Sequence, residues 1–139
     1  ENLPDFAVIA SSSQTEGRGQ GYHTWLSETG KNLTFSIFVR HHPDLKAQDQ
    51  FALSDLTAQS VVEFLSRYDI TARVKLPNDI YIGMDKICGI LIENTLRGNS
   101  LYSSIIGIGL NVTQVCPIRH QCLYVKKTRH SISTNALNL

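Results

Sequence analysis

"KLPNDIYIGMDKICGILIENTLRGNSLYSSIIGIGLNV", residues 75–112, holds three runs of strand formers separated by short polar turns: DIYIG, KICGILIENTL and SLYSSIIGIGLNV. With TARVKL just before them they make four strand-like segments in close succession, the pattern of an antiparallel meander. Upstream, LTFSIFVRH (33–41) alternates Leu33, Phe35, Ile37 and Val39 with Thr34, Ser36, Phe38 and Arg40, as a strand with one buried face does. FAVIAS (6–11) is a further short strand running into a polar loop. Between these and the meander the period changes. From Gln50, the residues Leu53, Leu56, Thr57, Val61, Phe64 and Leu65 fall on one helical stripe, with Asp49 or Ser54 as a cap and an end near Tyr68 and Asp69. The order is strand, loop, strand, helix, then several strands. It predicts an α/β (α+β) domain: a mixed, largely antiparallel sheet with helices on one face, not a doubly wound repeat.

The bulk properties narrow the function. A chain of 139 residues is one domain and buries a core without disulfides or a structural metal. Lys plus Arg number 13 and Asp plus Glu 12, so no overall field selects nucleic acid, an acidic membrane or a polyacidic partner. Any anion is bound locally. The three cysteines, Cys88, Cys116 and Cys122, form no CxxC pair and match no zinc spacing; they read as reduced thiols of a cytoplasmic protein. The opening ENLPDFAVIA has neither the basic nor the apolar stretch of a signal peptide or a membrane span, and a start on Glu suggests sequence upstream.

Two local anomalies carry chemistry. In EGRGQGYHTW (16–25) three glycines fall within five residues, ahead of a histidine between aromatic residues. Glycines let successive N–H groups converge on an anion. This loop has no GK[ST] and leads into a strand, so neither a Walker A loop nor a dinucleotide fingerprint fits. A turn is the plainer reading of the glycines alone. The second anomaly is Gly89 within a strand, echoed by Gly107 and Gly109 before Asn111. Glycine weakens a strand unless a ligand or another backbone comes close. Two neighbouring strands with bare backbone describe a floor for a flat small molecule. Asn78 and Asp79 after Pro77, and Lys86 at a hairpin tip, are ordinary turn residues taken singly.

Taken together, QTEGRGQGYHTW, GKNLTFSI, KLPNDIYIGMDKICGILIE and IIGIGLNV resemble the biotin protein ligases, in that family's order and spacing, over residues 6–114. The resemblance implies the biotin/lipoate ligase (class II synthetase-like) fold. It also implies an activity: biotin and ATP, with Mg2+, give biotinyl-5′-adenylate, and the biotinyl group passes to a lysine of a biotin carboxyl carrier protein. Neither nucleic acid nor a membrane is an expected partner.

On the same ground Lys86, Arg18 and Asp79 are the expected catalytic residues. Gln14, Gly17, Arg18, Gly19, Trp25, Lys86, Gly89 and Gly107 are expected to bind biotin. Gln20, His23, Asn78, Asp79 and Asn111 are expected to bind ATP, and no resident metal is assigned. The glycine loop is expected to act as a mobile lid and Trp25 to cover the reactive mixed anhydride, which water would hydrolyse.

The chain also departs from the family. Gln20 and His23 replace basic residues of the loop, and Leu76 replaces a tryptophan. The family's Ser-Thr-Asn motif and following small β-barrel are missing, and the Ser133-Thr134-Asn135 triplet stands at the wrong end. Residues 1–114 therefore read as a partial catalytic domain and 115–139 as a divergent tail. The alternatives are an inactive or binding-only fragment of that fold, or a lipoate-type acyl ligase.

Overall fold

The computed structural model describes residues 3–114. The tail from 115 onward, with Cys116, Cys122 and the Ser133–Asn135 triplet, lies outside the described residues.

Strand formers in short alternating runs give six strands: β1 (Val8–Ser11), β2 (Asn32–Arg40), β3 (Arg73–Lys75), β4 (Asp79–Ile82), β5 (Asp85–Arg97) and β6 (Ser100–Asn111). They form one sheet in the order β1-β2-β6-β5-β4-β3. Every pairing is antiparallel, so the largely antiparallel expectation holds throughout the described residues. The long β5–β6 hairpin is the spine, closed by a two-residue connection between Arg97 and Ser100.

Side chains alternate across this sheet. Ile80, Cys88, Ile90, Ile106, Ile108 and Leu110 point to one face and build the core with Ala58 and Leu65 of the helix α1 (Gln50–Ser66). The expected helical stripe is shifted. Ala58 and Leu65 are fully buried, whereas Leu56 and Phe64 remain exposed. The reason is the helix's position: α1 packs over β3, β4 and β5. An apolar groove of about 530 Å³ is left between the helix and Leu33, Phe35 and Ile37 of β2, and Leu56 and Phe64 line it.

Both candidate caps are used, in other ways than expected. The Asp49 carboxylate accepts from Lys46 N at 2.8 Å, closing the short 3-10 turn (Ala47–Asp49) ahead of α1. Ser54 Oγ donates to the Pro77 carbonyl at 2.9 Å and ties the helix to the turn before β4. On the helix side, His41 Nε2 lies 2.7 Å from Ser104 Oγ, which donates to Asn94 Oδ1 at 2.6 Å. Partial burial holds His41 below its ordinary value, with Asp5 acting in the opposite sense.

Candidate active site

The face away from α1 is the bare one. Gly89 of β5 pairs directly with Gly109 of β6, Leu91 with Gly107, and Glu93 with Ile105. On the other flank of β6, Thr34 pairs with Gly109 and Ser36 with Gly107. Cross-strand partners share a face, so these residues form a floor of three glycines edged by Thr34, Ser36 and Glu93.

Lys86 reaches this floor because of an irregularity in the sheet. Counted by simple alternation from Gly89, Lys86 would point to the opposite face. The register shifts between Ile80 and Tyr81: Ile80 pairs with Cys88 but Tyr81 with Lys86, leaving Ile87 as an extra residue. A bulge of this kind re-aims the side chains beyond it. Lys86 is therefore not a solvent-facing hairpin tip, as its sequence context suggested, but a strand residue on the floor. Its Nζ is 2.7 Å from Asp79 Oδ1, with the two side chains only 26% and 23% exposed. Asp79 itself pairs with Gly89 across β4 and β5.

The adjacent turn is held from both sides. Asn78 Nδ2 donates to the Ile90 carbonyl at 2.7 Å, and Ile90 N donates to the Asn78 carbonyl at 2.9 Å. The Asn78 amide group thus fixes the Asp79 backbone, and its NH2 is already engaged. Leu76, which stands where the family has tryptophan, is 73% exposed and packs little.

The glycine loop is a small hairpin. Trp25 N donates to Gly17 O at 2.9 Å, Gly19 N to His23 O at 2.7 Å, and His23 N to Gln20 O at 3.2 Å. Its two arms are close: a Cβ at Gly17 would stand 2.3 Å from the Trp25 carbonyl oxygen. At the turn Gly21 has φ +64°, a conformation side chains resist. The plain turn chemistry read from the sequence is thus present, and it also delivers Trp25 to the floor. A Cβ at Gly109 would lie 2.5 Å from the indole, and one at Gly89 3.0 Å. Lys86 Nζ stands 5.8 Å from the centre of the indole ring. Across the floor, Arg18 Nη2 donates to Glu93 Oε2 at 3.0 Å.

The resulting cavity measures about 560 Å³. Gln14, Arg18, Gly19, Gln20, His23, Trp25, Asn78, Asp79, Lys86, Gly89 and Gly107 all line it. Two expected site residues do not. Gly17 lines an adjoining pocket instead, which shares Arg18, Gly19, His23 and Glu93 with the cavity. Asn111, two residues beyond Gly109 on the floor face of β6, is fully buried, and both polar atoms of its amide lack partners among the described residues. Thr34 Oγ1 and Trp25 Nε1 are likewise buried and unpaired. Unpaired buried polar atoms are costly, and this cluster lies along the β2–β6 side of the floor. Thr34, Ser36 and Glu93 were not singled out from the sequence. The alternation of 33–41 separates Thr34 and Ser36 from the core residues but cannot show that they pair with Gly109 and Gly107.

One cysteine lies beneath the site. Cys88 is a free, buried thiol. Burial pushes it up to about 12, with nearby Lys86 lowering and Asp79 raising it. It is no nucleophile at neutral pH.

A model of the biotin/lipoate A/B protein ligase family matches residues 2–111. The chain belongs to that family. It is 36% identical over 114 residues to the bifunctional ligase/repressor BirA of Bacillus spizizenii, covering 81% of this chain and 34% of that protein. It is also 36% identical over 115 residues to the biotin–protein ligase of Homo sapiens, covering 79% and 16%. The chain thus spans about a third or less of these two relatives. Among solved structures, the Aquifex aeolicus biotin protein ligase in complex with biotin and ATP superposes with a TM-score of 0.78 at 26% identity, covering 99% of this chain and 57% of that one. The Leishmania major biotin protein ligase in complex with biotinyl-5-AMP gives 0.65 at 26%, covering 88% and 54%. The fold of these biotin protein ligases is the one found here, an antiparallel sheet with a helix on one face. No helix among the described residues is long and apolar enough to cross a membrane.

Proposed function

We propose that residues 1–114 form a biotin-activating catalytic unit that binds biotin and ATP on the glycine floor, makes biotinyl-5′-adenylate, and transfers the biotinyl group to a lysine of a carboxyl carrier protein. The observation that carries this reading is Lys86, brought onto the floor by the β4–β5 bulge, beside Gly89 and within ion-pair distance of Asp79. The relatives' structures hold biotin with ATP, or the adenylate, on the same fold.

In the first step a biotin carboxylate oxygen bonds to the α-phosphorus, the α–β phosphoanhydride bond breaks, and pyrophosphate leaves with its electron pair. Charge builds on the phosphoryl oxygens, where the Lys86 ammonium stabilises it. In the second step a lysine amine attacks the acyl carbon and AMP departs. The indole of Trp25, held by the hairpin, keeps water from the mixed anhydride. Gln14, Gly19 and Arg18 line the biotin side, and Gln20, His23 and Asn78 the nucleotide side. Asn111, fully buried beside Gly109 and outside the cavity lining, would reach the nucleotide through its unpaired amide only after the residues covering it move.

Magnesium, if required, would be held beside Asp79 with the nucleotide and would supply Lewis-acid charge neutralisation. Among the described residues no three His, Cys, Asp or Glu side chains stand together as a metal site. Asp79 is one carboxylate beside the phosphates, which suits an ion carried mainly by water and substrate oxygens. The ion would draw off phosphate charge, while Asp79 orients Lys86.

A polar lining favours biotin over lipoate. Gln14, Thr34 and Ser36 edge the floor, and a planar ureido group needs such partners when it leaves water, whereas a dithiolane does not. Cys88, a free thiol in the core, accords with a reducing compartment, and we assign the protein to the cytoplasm. Biotin-dependent exchange of labelled pyrophosphate into ATP tests the reading. Exchange that requires biotin and is lost in Lys86→Ala supports it. Ligand binding without exchange makes the chain a binding-only fragment, and exchange with lipoate in place of biotin makes it a lipoate-type ligase.

A further inference from the structure

The positive charge of Arg18 and Lys86 in the cavity is fully committed. The lining carries three carboxylates, Glu16, Asp79 and Glu93, against the cations Arg18 and Lys86. Each cation already has a carboxylate partner: Lys86 has Asp79 at 2.7 Å, and Arg18 has Glu93 at 3.0 Å. A substrate bearing a carboxylate or phosphates must therefore take over a cation that is engaged elsewhere.

The two pairs differ in kind. Lys86 and Asp79 sit on adjacent strands and are largely buried, so they move as one unit. Arg18 and Glu93 join separate elements, an arm of the hairpin and the middle of β5, with side chains 72% and 45% exposed. An ion pair so exposed contributes little to folding. What it does determine is where the guanidinium stands. Glu93 projects from the floor face next to the pair of Leu91 and Gly107, the stretch of floor that the Trp25 indole leaves bare.

We infer that Glu93 is a positioning residue: it parks Arg18 over the Gly107 end of the floor and yields it to an oxyanion of the bound substrate. The inference rests on the biotin-activation reading. Arg18 would exchange one carboxylate partner for another oxyanion, a swap that planar guanidinium geometry favours for carboxylate and phosphate alike. Glu93 thus competes with the substrate, and removing its charge should tighten binding, the reverse of what loss of a merely structural contact produces.

Calorimetric titration of the unsubstituted chain, Glu93→Gln and Glu93→Ala with biotin, biotin methyl ester, ATP and inorganic pyrophosphate tests this. Both variants should bind the competing anion about two- to fivefold more tightly at low salt, the scale of an exposed ion pair. The gain should shrink in high salt and vanish when Arg18→Ala is combined with either variant. Tightening for biotin but not its ester identifies a carboxylate, and tightening for ATP and pyrophosphate identifies phosphate. If the unsubstituted chain binds biotin and ATP but neither variant binds any of the anions more tightly, the role of Glu93 is overturned while the ligase reading stands. If the unsubstituted chain binds neither, both fall together.

Discussion

Gly109→Ala should disable the site while leaving most of the fold in place, because the new methyl group would stand where Trp25 now lies. The added Cβ would be 2.5 Å from two indole carbons and 2.9 Å from Nε1. To regain ordinary contact the ring must retreat by about 1 Å. Gly109 is buried and its backbone is paired on both sides, with Thr34 and with Gly89, so the side chain must yield, not the strand. Overpacking typically costs about 1–3 kcal/mol, and replacing glycine in a strand returns about 0.5–1 kcal/mol. A net loss of about 0–2.5 kcal/mol is expected. The effect on chemistry should be larger, since a displacement of about 1 Å near reacting groups can cost about a hundredfold in rate.

The chain has a single tryptophan, so its emission reports this contact alone. Gly109→Ala should shift that emission to the red as the indole gains water. Gly107→Ala is the internal comparison. Its nearest neighbour is the Leu91 carbonyl oxygen at 3.4 Å, and Trp25 is not near it. That variant should keep the emission spectrum and lose ligand binding only. Identical spectra and identical pyrophosphate exchange in Gly109→Ala and the unsubstituted chain would refute the placement of Trp25 on the floor.

Lys86→Ala should abolish biotin-dependent pyrophosphate exchange by orders of magnitude. It should also lower stability by about 1 kcal/mol, because Asp79 is left partly buried and unpaired; a urea midpoint unchanged from the parent would contradict the ion pair. The hairpin tip at Tyr22 is fully exposed, so chymotrypsin should cut there in the free chain and more slowly with biotin and ATP bound; equal rates with both ligands bound would argue against closure. Cys88, with its thiol raised to about 12, should resist thiol reagents at pH 8 until the chain unfolds, as read by mass mapping of that residue. The stability tied to its protonated form is complete below the unfolded value of about 9 and is lost as pH rises toward 12, so urea midpoints should fall across that window more in the parent than in Cys88→Ala.

The meander of 71–112 was legible because its strands are rich in β-branched residues and joined by tight turns. The four elements read there became β3 to β6 with boundaries close to those expected. Gly89, Gly107 and Gly109 were legible as a floor because a mid-strand glycine has little other reason to persist. Lys86 was visible as a residue but not in its direction. Its facing depends on one extra residue in β5, which alternation cannot locate. The hairpin form of 17–25 was similarly hidden, since glycines signal a turn without saying which arms approach. Glu93 escaped notice because its meaning lies in a partner 75 positions away. The helical stripe of α1 misplaced Leu56 and Phe64 because periodicity gives a face but not which part of the sheet that face covers.

Titration calorimetry of the 139-residue chain with biotin, with lipoate and with ATP bears most directly on the claim that the glycine floor is a biotin and nucleotide site. The account predicts one biotin and one ATP bound per chain, no binding of lipoate, and loss of biotin binding in Gly107→Ala, with the emission of Trp25 altered by biotin. Binding of lipoate in preference to biotin, or binding of biotin that survives Gly107→Ala and leaves Trp25 unperturbed, would contradict it.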